Sequence, residues 1–253
     1  MQFQIFDWEK DKKLMKKRTI AIVLAAGQGK RMNSAVRKQY LLIQEKPILY
    51  YTLKTFEDSF IDEIILVVGE GEENYCRKNI VDKYMFSKVS AIVVGGKERY
   101  HSVYQALLRI AEEQKTDSYV FIHDGARPFV TNKVLKDAYE TVCECEACIV
   151  AVPVKDTIKV VTDDKIVHHT PARSTLWTVQ TPQVFSYDKV KNAYDKMLTL
   201  EEQGKLQMAI TDDAMVMESF SDIPIKVVEG NYENIKITTP EDLIFAERIL
   251  NDT

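Results

Sequence analysis

The chain has 253 residues against roughly 150 for a typical domain, leaving room for one large domain or two small ones. At 45% apolar and 28% charged it can bury a sizeable core, which excludes disordered, collagenous and low-complexity classes. With 34 basic and 38 acidic residues the net charge is −4, so no global basic field serves duplex nucleic acid, although a local basic pocket is still allowed.

Four cysteines are too few for a disulfide scaffold and suit a reducing cytoplasm better than secretion. No apolar run of about 18 residues is present, so no membrane span is expected. Residues 1–18 read as a charged leader that can be disordered. Lys10, Lys12, Lys13, Lys16, Lys17 and Arg18 alternate with Glu9 and Asp11, and no apolar core or cleavage site makes them a signal peptide.

The fold proper begins at Thr19. Residues 19–26 (TIAIVLAA) form a continuous apolar run, as expected of a strand buried on both faces of a parallel sheet. A Gly-containing loop and a helix over about 48–56 follow. Further strands are predicted at 63–69, 89–94 and 118–123, separated by helices near 73–83 and 100–113. A helix over about 132–146 and a strand at 148–154 continue the alternation, which indicates βαβ units and a doubly wound sheet. From 152 to 167 two β-rich segments flank the polar turn Thr162-Asp163-Asp164-Lys165, which reads as a hairpin arm leaving the sheet. Helices near 187–202 and 212–219, a strand near 225–229 and a helix from Pro240 complete the chain. No repeat or linker divides it, so one α/β domain over 19–253 with a β-arm at about 152–175 is expected.

The strongest chemical signal directly follows the first strand: Leu24-Ala25-Ala26-Gly27-Gln28-Gly29-Lys30-Arg31-Met32. Small residues let the backbone approach a phosphate, and successive amides can cradle an anion. Arg31 and Lys38 add cationic donors. The dinucleotide fingerprint fails because Met32 occupies its third glycine position, and no Gly-Lys-Ser/Thr makes a P-loop. A plain tight turn is the alternative.

With Lys38-Gln39-Tyr40, this stretch resembles the signature of pyrophosphorylase-type nucleotidyltransferases. Four further segments narrow the resemblance: Gly95–Val103 (GGKERYHSV), His123–Phe129 (HDGARPF), Gln180-Thr181-Pro182-Gln183 and Asn234–Thr238 (NIKIT). Together they resemble the 2-C-methyl-D-erythritol 4-phosphate cytidylyltransferases of the non-mevalonate isoprenoid pathway, in order, from about Thr19 to Leu250. Arg37 departs from the pattern, since many members carry proline before the Lys-Gln pair.

The resemblance implies a doubly wound, mostly parallel Rossmann-like sheet of the nucleotide-diphospho-sugar transferase type with a protruding β-arm. It also implies transfer of CMP from CTP to a sugar-alcohol phosphate, releasing pyrophosphate, with Mg²⁺ as cofactor, and a homodimer joined through the arm. Arg31, Lys38, Arg173 and Lys236 are then the catalytic cations. Ala25, Ala26, Gly27, Gly29, Gly96, Arg99 and Ser102 bind nucleotide, and Asp124, beside Ala126, holds the metal. Thr157, Thr181 and Thr211 match acceptor-side positions, with Thr157 and Arg173 acting across the dimer. Taken singly, these threonines also fit strand or cap roles, and Asp124-Gly125 fits a plain turn. Two rivals stay open: ribitol-5-phosphate cytidylyltransferase, against which Leu24–Gly27, Leu176-Trp177 and the Arg173 context speak, and a non-catalytic nucleotide-binding regulator.

Cys143, Cys145 and Cys148 read as structural or incidental thiols, because neighbours two apart on a helix point in different directions. His168-His169 reads as a solvated pair.

Overall fold

The computed structural model describes residues 17–27 and 37–252. The leader up to residue 16, together with Gly29 and Arg31, lies outside the described residues. Strand β1 (Arg18–Ala25) is buried along nearly its whole length, as its unbroken apolar run requires. A 3₁₀ turn (Lys38–Tyr40) and a small hairpin of β2 (Leu42–Ile43) and β3 (Lys46–Pro47) lead into helix α1 (Ile48–Glu57). Strand β4 (Glu63–Val68) is followed by helix α2 (Glu73–Cys76), which widens into a π-helical stretch over Arg77–Asp82. Then come β5 (Val89–Val94), α3 (Arg99–Glu112), β6 (Ser118–Asp124), α4 (Asn132–Cys145) and β7 (Ala147–Pro153).

The arm follows as predicted. Strands β8 (Val160–Val161) and β9 (Val167–His169) pair antiparallel across the polar turn, where Lys165 takes a φ of 62°. The chain returns through β10 (Trp177–Ser186), α5 (Tyr187–Glu202), α6 (Asp213–Phe220), β11 (Lys226–Glu229) and α7 (Pro240–Asp252).

Among the described residues, seven strands form the central sheet in the order β11-β7-β10-β6-β1-β4-β5. Every neighbouring pair is parallel except the two made by β10, which runs antiparallel to both β6 and β7. The sheet is therefore α/β and mostly parallel, as the alternating pattern implies. Strand β10 is the strand of this sheet that the sequence reading omits. Its stretch WTVQTPQVFS carries proline and four buried polar residues, Gln180, Thr181, Gln183 and Ser186, so no apolar run marks it. Between Val179 and Gln183 its register with β7 shifts, a bulge that turns these polar side chains to tasks other than the ladder.

Side-chain alternation sorts the core into two layers. Ala21 and Val23 of β1 pack with Leu49, Leu53 and Phe56 of α1 and Val134 and Leu135 of α4. On the other face, Ile20 and Ile22 meet Val103 and Leu107 of α3 and Val190, Tyr194 and Met197 of α5. A smaller cluster of Ile43, Ile48, Ile237 and Ala246 pins the β2–β3 hairpin to α7. No helix among the described residues is long and apolar enough to cross a membrane.

Candidate active site

Strands β1, β5 and β6 end at the same edge of the sheet, the carboxyl edge where doubly wound folds place ligands. A cavity of about 510 Å³ opens there. Its walls are the loop from Leu24 to Gly27 after β1, Lys38 and Gln39 from the 3₁₀ turn, Gly96–Arg99 and Ser102 around the start of α3, Asp124 and Ala126 after β6, and Lys236.

Each wall is fixed locally. Gln39 is buried and donates from Nε2 to the Ala25 carbonyl at 2.5 Å, holding the Lys38 turn against β1. The entry to α3 closes on itself: Glu98 caps the helix while its own N–H donates to His101 Nδ1 at 3.2 Å. Ser102 accepts from the Gly96 N–H at 3.1 Å and donates to the Glu98 carbonyl at 3.3 Å, so its hydroxyl shapes the glycine turn. Gly95 must lack a side chain, because a Cβ there would sit 2.6 Å from Ala26 Cβ and 2.7 Å from Ser102 Oγ. The Gly125 N–H donates to the Leu24 carbonyl at 2.8 Å, joining the loops after β1 and β6.

Asp124 is the electrostatic centre. Lys236 Nζ stands 2.8 Å from Oδ2, Arg127 Nε 3.7 Å from Oδ2, and Arg99 Nε 3.6 Å from Oδ1. Burial alone would raise this carboxyl, but the charges of Arg99, Lys236 and Arg127 outweigh it and hold it well below the ordinary carboxylate range. Asp124 is thus an anion throughout the physiological range.

Behind the cavity lies a buried relay. The Asp124 N–H donates to Thr181 Oγ1 at 3.1 Å. Thr181 Oγ1 lies 3.0 Å from His123 Nδ1, and His123 Nε2 lies 3.0 Å from the Arg127 carbonyl. A carbonyl only accepts, so Nε2 carries the proton, Nδ1 accepts, and the threonine hydroxyl donates. Burial pushes the His123 pKa down to about 4, which keeps the ring neutral and this polarity single-valued. Arg127 braces the loop, donating from Nη1 to the Asn234 carbonyl at 2.8 Å, while Asn234 Nδ2 donates to the Thr181 carbonyl at 2.9 Å.

A second buried unit holds Arg99. Its Nη1 and Nη2 donate to the two oxygens of Asp213 at 2.8 and 2.7 Å, and Tyr194 Oη donates to Asp213 Oδ1 at 2.5 Å. Asp213 is wholly buried at the start of α6. That helix start is set by Gln183 of β10, which donates to Asp212 Oδ2 and accepts from the Ala214 N–H, both at 2.8 Å.

Among the expected site residues, the structure brings Ala25, Ala26, Gly27, Lys38, Gly96, Arg99, Ser102, Asp124, Ala126 and Lys236 to one cavity. Lys236 stands not in a strand, as its apolar neighbours suggest, but in the irregular segment between β11 and α7. Thr181 is buried beneath Asp124 rather than lining the cavity. Thr211 is exposed, with its hydroxyl 3.6 Å from Met215 Sδ. Thr157 and Arg173 lie exposed on the arm, away from their own chain's cavity, with Arg173 Nη1 donating to the Lys155 carbonyl at 3.1 Å. His123, Tyr194 and Asp213 are supports that the sequence reading missed. Asp213 follows an N-cap aspartate, and the Asp212-Asp213 doublet is the signal that could have found it.

No group of three or more His, Cys, Asp or Glu side chains among the described residues could hold a metal. Two carboxylates stand in the cavity wall: Glu98, engaged in capping α3, and Asp124, which faces Arg99 and Lys236. That donor set fits a hard divalent ion shared with substrate phosphates, rather than one caged by protein.

Residues 19–252 match the family model of 2-C-methyl-D-erythritol 4-phosphate cytidylyltransferase. The enzyme of that name from Lachnoclostridium phytofermentans is 50% identical over 232 residues, covering 92% of this chain and 96% of its own. Its namesake from Alkaliphilus oremlandii is 49% identical over 234 residues, covering 92% and 95%. Among solved structures, 4-diphosphocytidyl-2C-methyl-D-erythritol synthase from Anaerococcus prevotii superposes with a TM-score of 0.78 at 34% identity, covering 93% of this chain and 96% of that one. The Francisella tularensis cytidylyltransferase gives 0.74 at 34% identity, covering 92% and 99%. With the family match over nearly its whole length and relatives at about half identity, this chain belongs to the 2-C-methyl-D-erythritol 4-phosphate cytidylyltransferase family.

Proposed function

We propose that this chain transfers the cytidylyl group of CTP to 2-C-methyl-D-erythritol 4-phosphate and releases pyrophosphate. The observation that carries the reading is the convergence of Lys38, Arg99, Asp124 and Lys236, drawn from distant parts of the chain, on one cavity beside the Ala25–Gly27 and Gly96 turns. An oxygen of the acceptor phosphate attacks the α-phosphorus of CTP, and the bond from that phosphorus to the oxygen of the β-phosphate breaks. The nucleophile is already ionised, so no general base is required. The protein's task is to bring two polyanions together and neutralise the charge that develops between them.

Lys38, beside the β1 turn, serves the α-phosphate and the leaving group; Arg31 shares that role in the family pattern. The Gly96–Ser102 turn, packed against Ala26, takes the base. Lys236 also borders a second cavity of about 480 Å³ with Arg127, Pro153, Lys155 and Tyr232, so it stands between the nucleotide and an acceptor-side space. Asp124 would hold Mg²⁺ together with phosphate oxygens. When bound, the ion would supply charge neutralisation on the triphosphate.

The arm supports a homodimer. A two-stranded ribbon alone is marginal in water. Here it exposes Ile158, Val160, Val161, Ile166 and Val167, with Ile166 65% exposed. Covering these side chains with a second copy would carry Thr157 and Arg173 to the neighbouring cavity. Pyrophosphate release measured with CTP, Mg²⁺ and either alcohol phosphate tests the reaction: turnover with methylerythritol phosphate is expected. Turnover with ribitol 5-phosphate alone overturns the acceptor. Mixed dimers of Lys38→Ala and Arg173→Ala subunits should regain activity, and a verified mixed dimer without rescue removes the crossed arm.

A further inference from the structure

We propose that Arg37 and Glu72 form a brace that positions Lys38 in the cavity, making both positioning residues for the reaction although neither lines the cavity. The inference rests on the reading of Lys38 as the group that meets the α-phosphate. Arg37 Nε lies 2.8 Å from Glu72 Oε1. The other oxygen, Oε2, accepts from the Gly69 N–H at 3.1 Å and from the Tyr40 hydroxyl at 3.3 Å. One carboxylate thus ties the residue before Lys38, the residue two after it, and the loop leaving β4. Between those ties, Gln39 is fastened to the Ala25 carbonyl, so Lys38 is flanked by anchored residues on both sides.

Three observations separate this pair from an ordinary surface ion pair, which contributes little. The Glu72 side chain is only 14% exposed, and its two oxygens meet three donors. The Tyr40 hydroxyl that reaches it also contacts Cys76 Sγ at 3.0 Å inside the core. A Cβ on Gly69 would collide with Arg37 Nη1, so the guanidinium occupies the space that this glycine leaves. The backbone of Arg37 has φ −61°, the value at which a pyrrolidine ring would lock it, and an extended ψ of 140°. The side-chain brace therefore does at this position what a ring would do covalently.

The test is steady-state pyrophosphate release with CTP and methylerythritol phosphate for R37A, E72Q, R37A/E72Q, R37P and K38A, each checked for folding by circular dichroism. R37A and E72Q are each expected to lower kcat about tenfold, within the loss that small misplacements of a catalytic group produce, with the CTP KM nearly unchanged. The double variant should be no slower than either single one, and R37P should regain most of the wild-type kcat. Folded R37A and E72Q variants with wild-type kcat beside an inactive K38A overturn the brace alone. Independent, multiplicative losses in the double variant, or an R37P as slow as R37A, overturn it as well. A K38A enzyme with wild-type turnover instead overturns the role of Lys38 itself.

Discussion

Replacing Asp213 with asparagine removes the charge that holds Arg99 while preserving shape. The carboxylate is wholly buried and accepts two hydrogen bonds from the guanidinium and one from Tyr194. An amide can accept at one position only, and its nitrogen would turn a donor toward another donor. Removing one partner of a buried pair costs about 3–5 kcal/mol. Arg99 is 29% exposed in its side chain and has Asp124 3.6 Å away, so part of its charge finds another partner and the lower end, about 3 kcal/mol, applies. For a chain of this size each kcal/mol moves Tm by about 2–4 °C, giving an expected fall of roughly 6–12 °C. Circular dichroism melting measures it. Because the released guanidinium turns toward Asp124, the Mg²⁺ concentration for half-maximal turnover should rise in the same variant. A Tm within about 2 °C of wild type with an unchanged Mg²⁺ requirement would refute the reasoning, since the pair would then be worth no more than an exposed one.

The acid limb of stability should carry the signature of His123. The ring is fully buried, and burial lowers its pKa from 6.5 to about 4. The unfolded chain therefore takes up a proton that the folded one refuses, and stability falls by about 3 kcal/mol as pH drops from 6.5 to 4. Urea midpoints against pH should show this limb in the wild type and lose it in His123→Gln; a wild type flat over that window contradicts the assignment. Thr181→Val leaves the Asp124 N–H and His123 Nδ1 without partners, at about 1–3 kcal/mol each. Thr181→Ser should restore most of the lost melting temperature, and equal melting of all three proteins would remove the relay. Gly95→Ala overpacks the contact between Ala26 and Ser102 by about 1–3 kcal/mol, so the CTP KM should rise about tenfold with little change in the acceptor KM. An unchanged CTP KM places the base elsewhere.

The parallel half of the fold was legible because β1, β4 and β6 are buried on both faces and read as continuous apolar runs. The cavity walls were legible for a related reason: small residues and cations cluster directly after those runs. Strand β10 stayed hidden because its side chains answer to hydrogen-bonding tasks rather than to a face of the sheet. Gln180, Thr181 and Gln183 are buried yet polar, each spent on a partner remote in sequence. Period and propensity do not register partners such as Asn231, Asp124 and Asp212, so Asp213, Tyr194 and His123 emerged only once the chain was folded. Lys236 was legible only through the resemblance of its Asn234–Thr238 segment, because it stands in an irregular stretch that no period or propensity marks.

The placement of β10 makes the arm difficult to alter independently of the chemistry. The chain leaves the sheet at Pro153 and re-enters at Trp177, which pair across the root, and the Val154 N–H donates to the Leu176 carbonyl just beyond. Four residues after re-entry comes Thr181, which holds the amide of Asp124. The returning strand is thus the floor on which the carboxylate rests. At the tip, residues 162–165 close the hairpin through their own backbone hydrogen bonds, remote along the chain from Thr181. One residue gained or lost at the root would slide β10 along its neighbours and draw Thr181, Gln183 and their tethers away from the site. A change meant only to retune how the arm meets its surroundings would then be felt as a change in catalysis.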